Sequence, residues 1–424
     1  MHHTESWDSP ERALYSILFA TLFLVAEKRR KVLFVVGILP LALSYVDRFP
    51  NLANHSNLSL FLIALLWPFT ILHLRRDDSV RYQDLIKTLR LAAFVVYFFA
   101  AFHKCNSDFF NPSVSCANDK LKDYYELFPW FLSSYLSSIK ALMPLVAFSV
   151  EVFVPLALAI PKLRSIGIIL QVVVHCTLAP VGFVDFSALG LVFTWAYVEP
   201  SKLSSANAIS NFRRLGLLLV ILAAALGFFR WDPQRAVYGS LEGVVFSLVS
   251  LLFLVRVVLP ALSLSPLAAP KGFIWRLSLV ILVLFGASNY LGLRTAGTFS
   301  MFSNLRTEGE HTNHLLLPRN LFKVFSYQDD LIEVVSVDQR IQGIYRRMPY
   351  VGQLIPRIEF ARVMQKVRAR GISGAGMTVR YRSEMVTTSD VANDPRFEFS
   401  VPWWQLKLFK FRAVNIAGPQ PCSW

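Results

Sequence analysis

A lysine at the end of a long apolar run is the residue whose setting most invites chemistry. Tyr97 to Phe102 holds only aromatic and small side chains, and His103, Lys104, Cys105, Asn106, Ser107 and Asp108 follow at once. Loss of hydration favours the neutral form of an ammonium, so a lysine at such a boundary is a usable base. The ordinary alternative is a side chain that snorkels to lipid headgroups or pairs with Asp108. Three further clusters have the same character. Asn54-His55-Ser56 precedes an apolar run, although an isolated histidine in a loop is usually plain surface. Gln171 and His175 lie at i, i+4 on one helical face, ahead of Pro180 to Asp185. That pair suits a ligand or a proton relay, and equally a hydrogen bond to a neighbouring helix. Phe302 to His314 carries Ser303, Asn304, Arg306, Glu308, Glu310, His311 and Asn313. Arg306 can pair with Glu308 or Glu310, or the run can cap a cavity. His311 and His314 form an HxxH pair with no further ligands, so no metal is expected. Glu151, in the middle of an apolar stretch, is expected to line the same cavity or pair within it.

Several chemistries are excluded. No glycine-rich phosphate loop, GxSxG, HExxH or CxxC pattern is present. Of the four cysteines, Cys105 and Cys116 share one predicted external loop and are candidates to pair, Cys176 reads as buried, and Cys422 is near the terminus.

The elements that must position these clusters are apolar helices. Hydrophobic residues make up 54% of the 424 and charged residues only 17%, with 35 phenylalanines, against about 45–50% apolar and about 25% charged in a soluble domain. Apolar runs recur at Ala13–Ala26, Val32–Val46, Leu58–Leu74, Leu91–Phe102, Leu142–Ile160, Ile166–Pro180, Phe186–Val198, Leu215–Phe229, Val237–Leu259 and Phe273–Leu293. The expected fold is an α-helical polytopic membrane protein of about eight to ten transmembrane helices with a small α+β C-terminal extramembrane domain. The boundary falls between 1–293 and 294–424. The first run follows Asp8, Glu11 and Arg12 and lacks a small-residue cleavage site, so it does not read as a signal peptide.

Lys28 to Lys31, Arg75, Arg76, Arg81, Lys162, Arg164, Lys202, Arg213, Arg214, Lys271 and Arg276 fall in one alternating set of loops, which is expected to be cytoplasmic. The four polar clusters and the C-terminal domain then share the extracytoplasmic face, an arrangement that favours a single cavity opening there. After residue 294 the pattern shortens. Leu331–Val337 alternates as a strand, Ile355–Arg370 reads as an amphipathic basic helix, and Met377–Val386 and Phe397–Phe411 read as further strands. Much of the net charge of +15 sits here, including Arg346, Arg347, Arg362 and Arg412. It suits anionic lipid headgroups or a solvated face, and no motif makes nucleic acid a partner.

The segment Tyr97 to Phe110 resembles the helix end bearing the active-site lysine of the vitamin K-dependent gamma-carboxylase family and its bacterial relatives, which share a horizontally transferred transmembrane domain. Lys104, Asn106, Asp108 and Phe109 carry that likeness. Asn54-His55-Ser56 is similar to the family's Asn-His-Ser helix start, His175 with Phe186 to Tyr197 to a later helix pair, and Met301 to His311 to the polar stretch after its last helix. The resemblance implies a membrane enzyme, in a bacterial inner membrane, that oxidises or epoxidises reduced vitamin K or another quinol with O2. Carboxylation of a glutamyl acceptor in a protein or peptide with CO2 would follow. Lys104 would be the base and His55 would orient it. Asn54, His103, Asn106, Asp108, His175, Arg306, Glu308 and His311 would bind the lipidic substrate. The segment after residue 293 is far shorter than the soluble part of the animal enzymes, and His103 stands where they carry a second lysine. The competing expectations are a lipid-binding or transport protein without catalysis and a membrane scaffold.

Overall fold

The structure, a computed structural model, describes residues 42–43, 45–46, 49–52, 54–73, 79–127, 136–203, 237–309, 312–317, 322–342, 351–415 and 418–422. The expected runs Ala13–Ala26 and Leu215–Phe229, and His311, Arg346 and Arg347, lie outside the described residues. The described part of the chain before residue 292 is mostly helical. Its helices are α1 (Asn54–His73), α2 (Ser79–Lys104), α3 (Cys116–Leu127), α4 (Leu136–Ala159), α5 (Arg164–Leu178), α6 (Val184–Trp195), α7 (Val237–Phe253) and α8 (Phe273–Leu291). Among the described residues four stretches, Tyr82–Lys104, Ile139–Ala159, Pro161–Val181 and Phe273–Leu291, are long and apolar enough to cross a membrane. Leu142, Leu145, Val146 and Leu156 on α4, and Ile274, Val280, Ile281 and Leu284 on α8, are left exposed. Soluble proteins rarely leave such continuous apolar faces uncovered.

The chain divides into two compact units. The first comprises Met1–Asp47, His55–Tyr97 and Val152–Leu282. Close backbone approach decides its packing at two glycines. A side chain on Gly243 would meet the Ala179 carbonyl at 2.3 Å, and one on Gly167 would meet the Leu158 backbone nitrogen at 2.9 Å. Two buried cations, Arg90 and Arg164, flank the ring of Tyr197 and donate to backbone carbonyls, Arg90 to Ala196 and Arg164 to Leu158, Ser263 and Ser265. Carbonyl oxygens here replace the water a buried guanidinium loses.

The second unit comprises Arg48–Asn54, Phe98–Glu151 and Val283–Trp424. It holds a five-stranded antiparallel sheet of order β4-β3-β1-β2-β5, made of β1 (Leu331–Val337), β2 (Gln353–Pro356), β3 (Met377–Tyr381), β4 (Glu384–Thr388) and β5 (Val414–Asn415). Helix α9 (Arg357–Ala369) supplies Phe360, Val363, Met364 and Val367 to a core with Ile332, Val334, Ile355, Met377 and Val379. β1 occupies its expected residues. The run Met377–Val386 is two strands rather than one, because Arg382 and Ser383 take positive φ of 49° and 70° and close a tight hairpin. Phe397–Phe411 is not a strand. Pro395–Phe397 is a 3₁₀ turn and Trp403–Leu408 forms a short helix, α10, behind Pro402. A proline without an N–H favours a helix start over a sheet ladder. The basic residues are not all surface: Arg362 and Arg412 are buried, and the Arg362 guanidinium bonds Glu359 and the carbonyls of Leu406 and Phe409.

Candidate functional site

Lys104 is the last residue of α2 and only 4% exposed. Its Nζ lies 2.8 Å from Glu151 Oε2, donates to the Met301 carbonyl at 3.1 Å, and sits 5.8 Å from the centre of the Phe109 ring. The partner is therefore Glu151 on α4, as the sequence allowed, and not Asp108. The Glu151 side chain is 25% exposed, but Oε2, the oxygen facing the lysine, is buried and accepts no hydrogen bond among the described residues, so the contact is an ion pair by distance.

The backbone around the lysine is fixed by amides. Asn106, fully buried, donates through Nδ2 to the carbonyls of His103 and Ser303 and accepts the Phe109 N–H, closing the turn that ends α2. Asn313 donates to Asp108 Oδ2 at 2.7 Å and to the Asn304 carbonyl at 2.8 Å, and accepts the Arg306 N–H. Asn304 donates to the carbonyls of Val114 and Gln420 and accepts the Cys116 N–H. Phe299, Phe302 and Asn304 all have positive φ, near 63°, 55° and 53°. For a phenylalanine this conformation costs about 1–2 kcal/mol, and strain of that kind is retained where surrounding bonds over-determine the backbone. The strained segment contains Met301, whose carbonyl holds Lys104.

His103 is buried beside Lys104 and bonds the Gly286 carbonyl at 3.1 Å. Gly286 has no alternative, since a side chain there would meet the Phe99 ring at 2.3 Å. His314 bridges back to Asn106. Its Nδ1 accepts the N–H groups of Leu316 and Leu317, which fixes the proton on Nε2 for donation to the Phe102 carbonyl at 3.0 Å. Burial lowers the His314 pKa, and the bond to Phe102 partly opposes that. Burial also pushes the Cys105 thiol up.

Cys105 and Cys116, the candidates to pair, are not joined to each other. Cys116 is bonded to Cys422 and Cys105 is a free thiol. The terminal segment folds back onto this loop, with the Gln420 N–H donating to Asp108 Oδ2 at 2.9 Å. A separation of 306 residues left no local spacing from which to find that bond. Glu308 is also placed differently from expectation. It is fully buried, and its ion pair is with Arg412 at 3.6 Å rather than Arg306.

Lys104, His103, Asn106, Asp108, Arg306 and Glu308 all belong to the second unit, so the first and fourth polar clusters come together there. Asn54 is assigned to that unit, while His55 and His175 belong to the first. His175 Nε2 lies 2.9 Å from the Tyr97 hydroxyl, its carbonyl accepts from Ser187, and Gln171 donates to the Gly190 carbonyl at 2.9 Å. A side chain on Gly190 would meet His175 Nε2 at 2.1 Å. Among the described residues no group of His, Cys, Asp and Glu could hold a metal. Comparison of the chain with protein-family models, curated proteins and solved structures finds no match.

Proposed function

We propose that the chain is a multi-span membrane enzyme that oxidises a lipid-soluble quinol, with Lys104 as the proton acceptor and Glu151 as the group through which its proton leaves. The observation that carries this reading is the Lys104–Glu151 pair, a buried lysine 2.8 Å from a carboxylate on α4. Four membrane-length helices with exposed apolar faces support the bilayer setting. The Cys116–Cys422 bond supports an oxidising, extracytoplasmic side for the second unit.

The donor set suits a flat phenolic ring. Phe109 lies beside the ammonium, Phe110 packs edge-on against Phe148 at 5.2 Å, and Phe148 is three residues before Glu151 on α4. A reduced quinol supplies a phenolic proton and, with O2, yields an epoxide and water. Lys104 Nζ takes the phenolic proton of the bound quinol, and Glu151, whose Oε2 lies 2.8 Å away, is the carboxylate through which that proton leaves. Asn106 and the strained 299–304 segment hold the lysine's backbone and its Met301 acceptor during this transfer. The resemblance adds His55 as an orienting residue and a glutamyl acceptor with CO2 as the further step.

The test is mass spectrometry of lipids co-purifying with the wild type and with Lys104→Ala, together with an assay for epoxide from added quinol and oxygen. Epoxide from the wild type alone is the expected result. No epoxide from either, with the same lipid retained by both, would replace catalysis with lipid binding or transport.

A further inference from the structure

The second unit carries an exposed aromatic rim outside the lysine site. The end of α8 is joined to two later segments by backbone bonds. The Phe325 N–H donates to the carbonyl of Leu291, the last residue of α8, at 3.0 Å. At the next residue, Gly292, φ is +80° and a side chain would meet the Phe325 carbonyl at 1.8 Å. Thr295 and Ala296 both donate to the Lys410 carbonyl, and Arg294 donates to the Leu408 carbonyl. The 322–327 loop and α10 are therefore both held at the end of a membrane-length helix. A chain of rings ties them together: Phe325 stacks on Tyr327 at 5.9 Å, Tyr327 meets Phe409 at 4.7 Å, and Phe409 meets Trp404 at 5.7 Å.

The outward side of this frame is apolar. Trp403 is 76% exposed, Val324 72% and Phe322 53%, with Leu408 and Phe325 beside them. Val283 and Leu284, about two turns back along α8, are exposed as well. Lys407, also exposed, lies on α10 among them, with its Nζ 3.5 Å from the Phe49 carbonyl.

We propose that this rim is seated in the headgroup layer of the bilayer, with the indoles of Trp403 and Trp404 at the boundary and Lys407 reaching lipid phosphate. Indole has an apolar body and one N–H donor, which suits a boundary where one side is hydrocarbon and the other wet. The rim starts within a few residues of where α8, by its length, would leave the hydrocarbon. It fixes the depth of α8 and hence of the 294–314 segment that follows. The proposal rests on the membrane reading above and is independent of the chemistry assigned to Lys104.

The experiment uses the full chain in nanodiscs of phosphatidylcholine, with and without lipid dibrominated near the headgroup end of its chains. Wild type is compared with the double variant Trp403→Phe/Trp404→Phe and with the single variant Trp403→Phe. The difference in emission isolates these indoles from the other seven of nine tryptophans. Quenching of the difference signal by brominated lipid, with protection from aqueous acrylamide, is the expected result. Quenching by acrylamide and not by brominated lipid would overturn the proposal by placing the rim in water. Protection from both would overturn it in favour of cover by a second copy or another protein. A chain that is not retained in nanodiscs would defeat the membrane reading itself, which separates that failure from failure of the rim. The single variant removes only the more exposed of the two indoles, so it reports even if the double variant folds poorly.

Discussion

The polar cluster around His175 and the polar cluster around Lys104 are both buried and both flanked by rings, yet they are built from opposite materials. Around His175 the partners are a tyrosine hydroxyl, a serine hydroxyl and, one turn away, a glutamine bonded to the Gly190 carbonyl. These are neutral bonds between helices, the kind that hold apolar helices in register. Around Lys104 an ammonium meets a carboxylate, one of the two is a quarter exposed, and the backbone beside it is strained. Burial of polar groups is common to both and cannot by itself mark a reactive centre. What separates them is an ion pair set beside a strained backbone. A buried ion pair is a poor device for stability, and the proposed reaction gives this one a use.

The largest expected effect breaks that contrast at its reactive end. Lys104→Met is predicted to lower quinol turnover by about 10²–10⁴-fold, the range general-base catalysis contributes, while His175→Gln leaves the rate per folded molecule unchanged. Steady-state rates normalised to folded protein check both. Glu151→Ala leaves the Lys104 ammonium unpaired in a buried setting and should cost about 3 kcal/mol of stability. Thermal unfolding in detergent measures this, and the double variant Lys104→Met/Glu151→Leu should recover most of the loss. On the other side of the contrast, Gly190→Ala drives a methyl group into His175 Nε2 and is predicted to cost about 1–3 kcal/mol, with turnover of the surviving fold intact. Adding His175→Ala should relieve much of that cost.

The smallest effect is a pH dependence. The His314 pKa is lowered in the folded chain by burial from an ordinary 6.5. Below that ordinary value the unfolded chain binds a proton that the folded chain refuses, so stability falls as pH drops from about 6.5 toward the folded value. Protonation also removes Nδ1 as acceptor for Leu316 and Leu317. An unfolding series across acid pH should show this loss in the wild type and a flatter profile in His314→Gln.

Much of this arrangement was legible in the sequence where the signal is local. The helix carrying Lys104, the β1 strand and most of the amphipathic α9 follow from apolar period and charge placement, while Ile355 and Pro356, expected at the start of that helix, end β2 instead. Glu151 drew attention because a carboxylate within an apolar helix needs a partner. What escaped depends on distant contacts. Cys116 pairs with Cys422 rather than its near neighbour Cys105, and Glu308 pairs with Arg412 across a long loop. The helix α10 was missed because Trp403–Leu408 combines aromatic content typical of strands with a preceding proline that acts as a helix start. Asn304, Asn313 and Gln420 matter through side-chain bonds to backbone, which no periodicity records.

The central claim is that Lys104 acts as a base on a membrane-borne quinol that is converted by oxygen. The most direct measurement supplies reduced quinol and oxygen-18 gas to the purified chain in nanodiscs and reads the product by mass spectrometry. The account predicts one labelled oxygen atom in the epoxide made by the wild type and none above background with Lys104→Met. Equal labelling by both proteins, or conversion by the wild type to unlabelled quinone alone, would contradict it.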